Sequence, residues 1–277
     1  MIRIMTPFLK SLHIYPVKSC HRVDLDTAEL EPWGLAGDRR WLVTDEEGQQ
    51  RTQRELPRMA LIRPTYTEDG GLRLAAPGMP DLDLPPVSRA RGAEEATVTV
   101  WSFTGPAAHA GRAADDWVTS FLGHRSRLVR MDDTSVRPTN PDYSQDEDRV
   151  SFADGYPLLL ASSASLAALG DWIVEMGGEP VPMTRFRPNV VVEGTEPWAE
   201  DTWKRVRIGE QSFRVVKRCD RCVMTTVDPE LGRFTGQQPL KALRKHRRED
   251  KAVFFAVNLI PDTVGALAVG AEFEVLG

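Results

Sequence analysis

"RVRIGEQSFRVVKRCDRCVMTTVDP", residues 205 to 229, decides the fold class. Arg205–Ile208 and Gln211–Cys219 are two β-favouring runs joined by Gly209 and Glu210, which reads as a β-hairpin. That hairpin delivers two cysteines, Cys219 and Cys222, and "VMTTV" after them is again β-branched. A pair at this spacing suits a redox dithiol or half of a zinc site, and the flanking arginines favour thiolate in either case; two buried small residues is the plainer alternative. A thioredoxin-type dithiol opens a helix in a βαβ setting. A motif that ends a hairpin has the wrong context for that chemistry.

Working outward, the same signature recurs. "LHIYPV", "WLVTDEEGQ", "MALIRPTY", "LRLAA" and "TVTVW" are short β-favouring runs punctuated by Gly, Pro and acidic turns. "AADDWVTSFLGH" has the helical spacing of Trp117, Phe121 and Leu122 and ends near Gly123. The stretch 132–149 carries no periodicity and two prolines, and it reads as a long loop. Then come a buried strand "YPLLLAS", a helix "SASLAALGDWIVEMGG" with serines at its start and glycines at its end, and "FRPNVVVEG". After the hairpin follow a basic helix "PLKALRKHRR" and the strands "AVFFAVNLI" and "AEFEVLG". The expectation is a mainly β fold with a few helices (α+β) in two β-rich units, residues 1–130 and 131–277. The basic helix has Leu240 and Leu243 on one face. Its cations form a solvated face or, less favoured, a dock for an acidic partner.

Composition narrows the function classes. The 277 residues are 41% hydrophobic and 27% charged, ordinary for a folded globular chain, and the formal net charge of -5 carries no nucleic-acid footprint. "MIRIMTPFLKSLHIYPVKSC" has no apolar run long enough for a signal peptide or membrane span, and the sequence reads as cytoplasmic. Three cysteines make no disulfide framework and cannot ligate a four-cysteine iron–sulfur cluster. The five histidines lack finger spacing, which leaves zinc a minor option.

"YPVKSC", "GLAGDRRWLV", "FADGYPLLL", "RFRPNVVV" and "RCDRCVMTTVDPELG", in that order, resemble the MOSC family with its N-terminal β-barrel partner domain. The branch most similar contains the mitochondrial amidoxime-reducing component and its bacterial relatives. The resemblance implies two β-barrel domains and a molybdenum-cofactor (Mo-molybdopterin) enzyme. Its reaction would be reduction of N-hydroxylated compounds, by N–O bond cleavage and oxygen transfer to molybdenum. Electrons would come from a separate flavin, iron–sulfur or haem protein, since the chain has no nucleotide-binding glycine-rich turn. A cofactor-binding or carrier module without turnover is the alternative.

By the same resemblance Cys222 binds the metal, and a soft thiolate suits molybdenum. Arg218 and Arg221 could favour its deprotonated form. Lys18, Ser19, Arg39, Arg187 and Asn189 would contact the cofactor's phosphate and pterin, with Tyr156 and Asn258 beside them; arginine forks suit phosphate. Asp220, Asp228 or Tyr156 could relay protons, with Asp228 better read as a turn residue. Relatives often read Cys-Ser-Arg-Cys where this chain has Asp220 in the second place. Asp220 is therefore expected either to turn outward onto Arg218 or Arg221, which is favoured, or to face the pocket as a proton donor. Cys219 is expected to be a structural neighbour.

Overall fold

A computed structural model describes residues 6–277. The first five residues of the N-terminal stretch read above for a leader lie outside the described residues. Among the described residues the molecule is mainly β with three α-helices. No described helix is long and apolar enough to cross a membrane.

The largest sheet runs, in spatial order, through Val23–Leu25, Phe8–Ile14, Val190–Glu193, Leu158–Ser162, Ala252–Pro261, Gln211–Asp220, Arg205–Ile208 and Phe273–Val275. Its centre follows from the "LLLAS" run. All five residues are buried, and the pleat sends them alternately to two cores. Leu158 and Leu160 join one cluster with Leu9, Leu12 and Phe213. Leu159 and Ala161 join another with Leu169, Ile173, Leu243 and Phe255. A strand covered on both faces needs a continuous apolar run.

That strand continues into helix Ser163–Glu175 and returns as Val190–Glu193, parallel to it with Leu160 opposite Val190. A parallel return requires such a crossover. Ser162 caps the helix through Oγ, which accepts from the amides of Ala164 and Ser165. The hairpin read from the sequence is present, with Val206 opposite Phe213 and Ile208 opposite Gln211. The first strand, Phe8–Ile14, crosses the length of the chain to pair antiparallel with Val190–Glu193. The N-terminal segment is thus stitched into the sheet that carries the cysteine motif.

A third core gathers Trp41, Leu72, Leu74 and Leu128 with Trp117, Val118 and Phe121 of helix Arg112–Leu122. That helix is where the Trp117, Phe121, Leu122 spacing places it, and Gly123, at φ 71°, closes it in the left-handed conformation. Two expected strand regions differ. "MALIRPTY" begins inside a 3₁₀ turn, Pro57–Leu61, entered through Pro57, and only Arg63–Tyr66 is strand. "VMTT" is a 3₁₀ turn, Val223–Thr226, because Thr225 and Thr226 donate from their hydroxyls to the carbonyls of Cys222 and Val223. Local side-chain bonds of this kind compete with strand pairing.

The 132–149 stretch forms no strand. Arg214 fixes its end by donating to both carboxylate oxygens of Asp148, at 2.8 and 2.7 Å, a bidentate geometry well suited to Arg.

Candidate active site

The crevice between the N-terminal segment and the large sheet begins with a backbone zipper. Arg39 and Trp41 donate from their amides to Tyr15 and Pro16, while Lys18 donates back to Trp41. Buried Asp38 accepts from the Tyr15 amide at 2.8 Å and from Arg39 Nη1 at 2.6 Å. Burial pushes the Asp38 carboxyl up, and Arg39 opposes that. Arg39 Nη1 also donates to Asn189 Oδ1 at 2.9 Å, and Nη2 donates to the Arg187 carbonyl at 3.2 Å. The guanidinium groups of Arg39 and Arg187 stack on the Tyr15 ring, 4.2 and 4.1 Å from its centroid. Burial raises the Tyr15 phenol to about 12, so it stays neutral between two cations.

These residues open onto a cavity of about 430 Å³. Lys18, Ser19, Arg39, Tyr156, Arg187, Asn189, Asp220, Cys222 and Asn258 all line it, together with Cys219 and Arg221, whereas Arg218 and Asp228 do not. Its wall holds seven cations (Lys18, Arg39, Arg54, Arg185, Arg187, Lys217, Arg221) against two carboxylates, Asp154 and Asp220. An excess of this size in a chain of net charge -5 points to an anionic occupant.

Backbone strain marks the same place. Seven non-glycine residues among those described have positive φ, and four of them, Ser19, Arg39, Trp101 and Arg187, line this cavity. Arg187 precedes Pro188, a position that disfavours helical dihedrals further. Each such residue costs roughly 1–3 kcal/mol, and such strain collects at ligand sites.

Lys18 is buried and donates to the Phe152 carbonyl at 2.8 Å and to Asp154 Oδ1 at 2.5 Å. Burial pushes its ammonium down to about 8, against the pull of Asp154. Arg187 donates through Nη1 to the Cys20 carbonyl, and its buried Nη2 has no partner. Burial lowers this guanidinium to about 10. Arg185, the first residue of the quoted "RFRPNVVV" but given no role there, is buried with Nε and Nη1 unpartnered. Unsatisfied buried donors are costly and call for an explanation. A polyanion in this cavity supplies one.

Asn189 differs from the expectation in how its amide is used. Oδ1 accepts from Arg39 and the Leu159 amide, and Nδ2 donates to the His13 carbonyl. It holds Arg39 in place and keeps little capacity for a ligand. Asn258 donates through Nδ2 to the Lys217 carbonyl at 3.2 Å.

The cysteine motif closes the cavity. Arg221 Nη1 donates to Cys219 Sγ at 2.8 Å and Nη2 to the Phe186 carbonyl. The expectation that Arg221 serves Cys222 is corrected: its fork is committed to Cys219. Burial pushes the Cys219 thiol up and Arg221 opposes that. Arg218 is turned away too, donating to Glu249 and stacking on Phe254. Asp220 points outward, its side chain 62% exposed, and its cationic neighbour is Lys217 at 3.6 Å. Pairing with Arg218 or Arg221 is thereby overturned, since both guanidinium groups have other partners. Asp228 caps a turn, accepting from the Glu230 and Leu231 amides at Oδ1 and from Arg185 at Oδ2. The Tyr156 phenol is raised to about 12 by burial and by its neighbours Tyr143, Asp142 and Asp220.

Arg54, Trp101 and Asp154 also line the cavity and were missed. Trp101 sits at the tip of the hairpin between Glu95–Val100 and Phe103–His109, with Arg54 stacked 4.8 Å from its ring. Asp154 lies within the quoted "FADGYPLLL" and could have been found there. Nothing local distinguishes Trp101.

No group of three or more His, Cys, Asp or Glu among the described residues could hold a metal ion. A metal bound through Cys222 must bring its other ligands with it. One cysteine sulfur beside a cationic, partly unsatisfied cavity fits a metal carried by an anionic organic group.

Comparison with known proteins gives two family matches, the MOSC N-terminal beta barrel domain over residues 6–125 and the MOSC domain over residues 147–274. The chain is 34% identical to mitochondrial amidoxime-reducing component 1 of Homo sapiens, over 96% of this chain and 82% of that protein. It is 34% identical to mitochondrial amidoxime reducing component 2 of Bos taurus, over 95% of this chain and 81% of that one.

Proposed function

The chain belongs to the MOSC family, with its N-terminal β-barrel partner, and from that premise we propose a molybdenum-cofactor-dependent reductase of N-hydroxylated compounds. The relatives are named for amidoxime reduction. The observation that carries the reading to this chain is the pairing of one thiol, Cys222, with buried arginine donors that lack partners on Arg185 and Arg187. Soft sulfur suits molybdenum, and guanidinium forks suit phosphate.

Within this reading Lys18, Arg39, Arg185 and Arg187 hold the anionic organic part, with Asn189 and Asp38 fixing Arg39. Cys222 supplies the protein's bond to the metal. When bound, the group supplies two-electron oxygen-acceptor chemistry of a kind side chains lack. The overall conversion is R–NH–OH + 2 e⁻ + 2 H⁺ → R–NH₂ + H₂O. The electrons come from a separate flavin, iron–sulfur or haem protein, and the protons from solvent at the open rim where Asp220 stands. The cytoplasmic placement read from the N-terminal stretch belongs to the same proposal.

The test is metal and pterin analysis of protein made in a host that synthesises the cofactor, with benzamidoxime reduction driven by a chemical reductant. Equimolar molybdenum and pterin with turnover supports the reading. Protein that carries neither, or that turns over without them, overturns it.

A further inference from the structure

A second cavity, of about 360 Å³, adjoins the first and shares two residues with it, Arg221 and Cys222. Its other cationic walls are Arg244, Arg248 and Lys251, and its apolar walls are Val223, Leu240 and Val253. Leu240 and Val253 are buried and belong to the core under helix Leu240–His246.

The charges here are not compensated. Among the described residues neither Arg244 nor Lys251 has a carboxylate within ion-pair distance, and Arg248 donates from Nε only to the Asp250 carbonyl. Of the neighbouring acids, Glu249 takes Arg218 and Asp201 takes Arg247, while the Asp250 carboxylate makes no ion pair with any of the three cations. In a chain with more acidic than basic residues, three such cations around one depression are not the average surface. Arg221 Nε, between the two cavities, is buried without a partner.

We propose that this cavity binds the anionic end of the substrate, so that the preferred N-hydroxylated compound carries a carboxylate or phosphate on a short apolar body. The inference rests on the reductase reading above and names its substrate class. An apolar body would lie along Val223, Leu240 and Val253 while its anion meets Arg244, Arg248 and Lys251, leaving the N–OH group at the Cys222 end. A small molecule fits better than the acidic face of a protein, because the cations surround a depression with apolar walls. Pockets built this way recognise small ligands. A docking face for a protein would present its charges on a broad rim.

The experiment uses holoenzyme and a chemical reductant, so that no protein donor intervenes. Steady-state rates are compared for benzamidoxime and 4-carboxybenzamidoxime, in the natural chain and in the double variant Arg244→Ala/Lys251→Ala. Both replaced residues are exposed. The natural chain is expected to favour the carboxylated compound in kcat/KM by about tenfold or more, on the scale of one or two charge-assisted contacts. The ratio should fall towards one in the variant. Calorimetric titration of the same two proteins with 4-carbamoylbenzoate gives a readout independent of turnover, with at least a tenfold loss of affinity expected in the variant.

No preference in the natural chain, or a preference the variant keeps, overturns the proposal. A variant impaired only when a protein donor replaces the chemical reductant also overturns it, and assigns the cations to an acidic electron donor. If neither compound is reduced, the reductase reading falls, and the titration alone then decides whether the cavity binds an organic anion.

Discussion

Arg221 Nη1 donates to Cys219 Sγ across 2.8 Å, and that contact distinguishes the two thiols of the motif. Cys219 faces the hydrophobic cluster of Phe186 and Phe255, and it is held by the guanidinium that was expected to serve its neighbour. Cys222 begins the following turn with its thiol free. The two sulfurs therefore have different work, one orienting an arginine and one available as a ligand.

The first prediction follows from that difference. Cys222→Ser should lose nearly all bound molybdenum, since an alcohol is a hard and poorly ionised ligand. Cys219→Ser should retain most of it, because a hydroxyl still accepts from Arg221. Molybdenum per protein, measured by elemental analysis, checks both. Equal retention in the two variants removes Cys222 as the metal ligand.

The second prediction concerns Asn189, which bridges the two halves of the chain. Asn189→Leu leaves Arg39, the Leu159 amide and the His13 carbonyl without their present partner. Each buried polar group left unsatisfied costs about 1–3 kcal/mol. Chemical denaturation should show a loss of at least about 2 kcal/mol, and Asn189→Asp, which keeps the acceptor toward Arg39, should lose less. A Leu variant as stable as the natural chain shows that the network is not holding the crevice.

Parts of this arrangement were legible in the sequence for plain reasons. The hairpin 205–220 declares itself by alternation about a Gly-containing turn, and the "LLLAS" run by continuous burial. Lys18, Ser19, Arg39, Tyr156, Arg187, Asn189, Asp220 and Cys222 were legible because they stand in ordered motifs, whereas Arg54 and Trp101, which also line the cavity, stand in none. Three things were not. Pairing of Phe8–Ile14 with Val190–Glu193 joins segments over 170 residues apart, and local pattern carries no information on such partners. "VMTT" has strand propensity, yet its own threonine hydroxyls satisfy the turn. Arginine partners are chosen in three dimensions, and so Arg218 took Glu249 and Arg221 took Cys219.

The third prediction is that Asp220 is dispensable. Its carboxylate is mostly exposed and its one cationic neighbour, Lys217, is 3.6 Å away. Exposed pairs of this kind contribute about 0–1 kcal/mol. Asp220→Ser should keep the metal and leave the pH profile of turnover unchanged. Loss of the alkaline limb, or a fall of more than about tenfold as for a missing general acid, places Asp220 in the proton path instead.

The last prediction turns on Lys18, whose ammonium burial lowers to about 8, well under the usual value of about 10.4. An anion in the cavity is bound by the charged form. Above pH 8 the free protein has lost that proton and binding must take it up again, so affinity should fall by up to about tenfold per pH unit between about pH 8 and 10. Folding stability moves the other way. Between about pH 8 and 10.4 the unfolded chain still holds the proton that the folded chain has released, so Lys18's unfavourable contribution to stability is relieved as pH rises through that window and returns as pH falls. Titration of metal-free and pterin-free protein with inorganic phosphate, at pH 7, 8, 9 and 10, checks the first slope. Denaturation of the natural chain against Lys18→Met over the same range checks the second, with the difference between them shifting in favour of the natural chain at high pH. Phosphate affinity that is flat to pH 10 shows that Lys18 does not meet the anion, even if the stability difference keeps its sign.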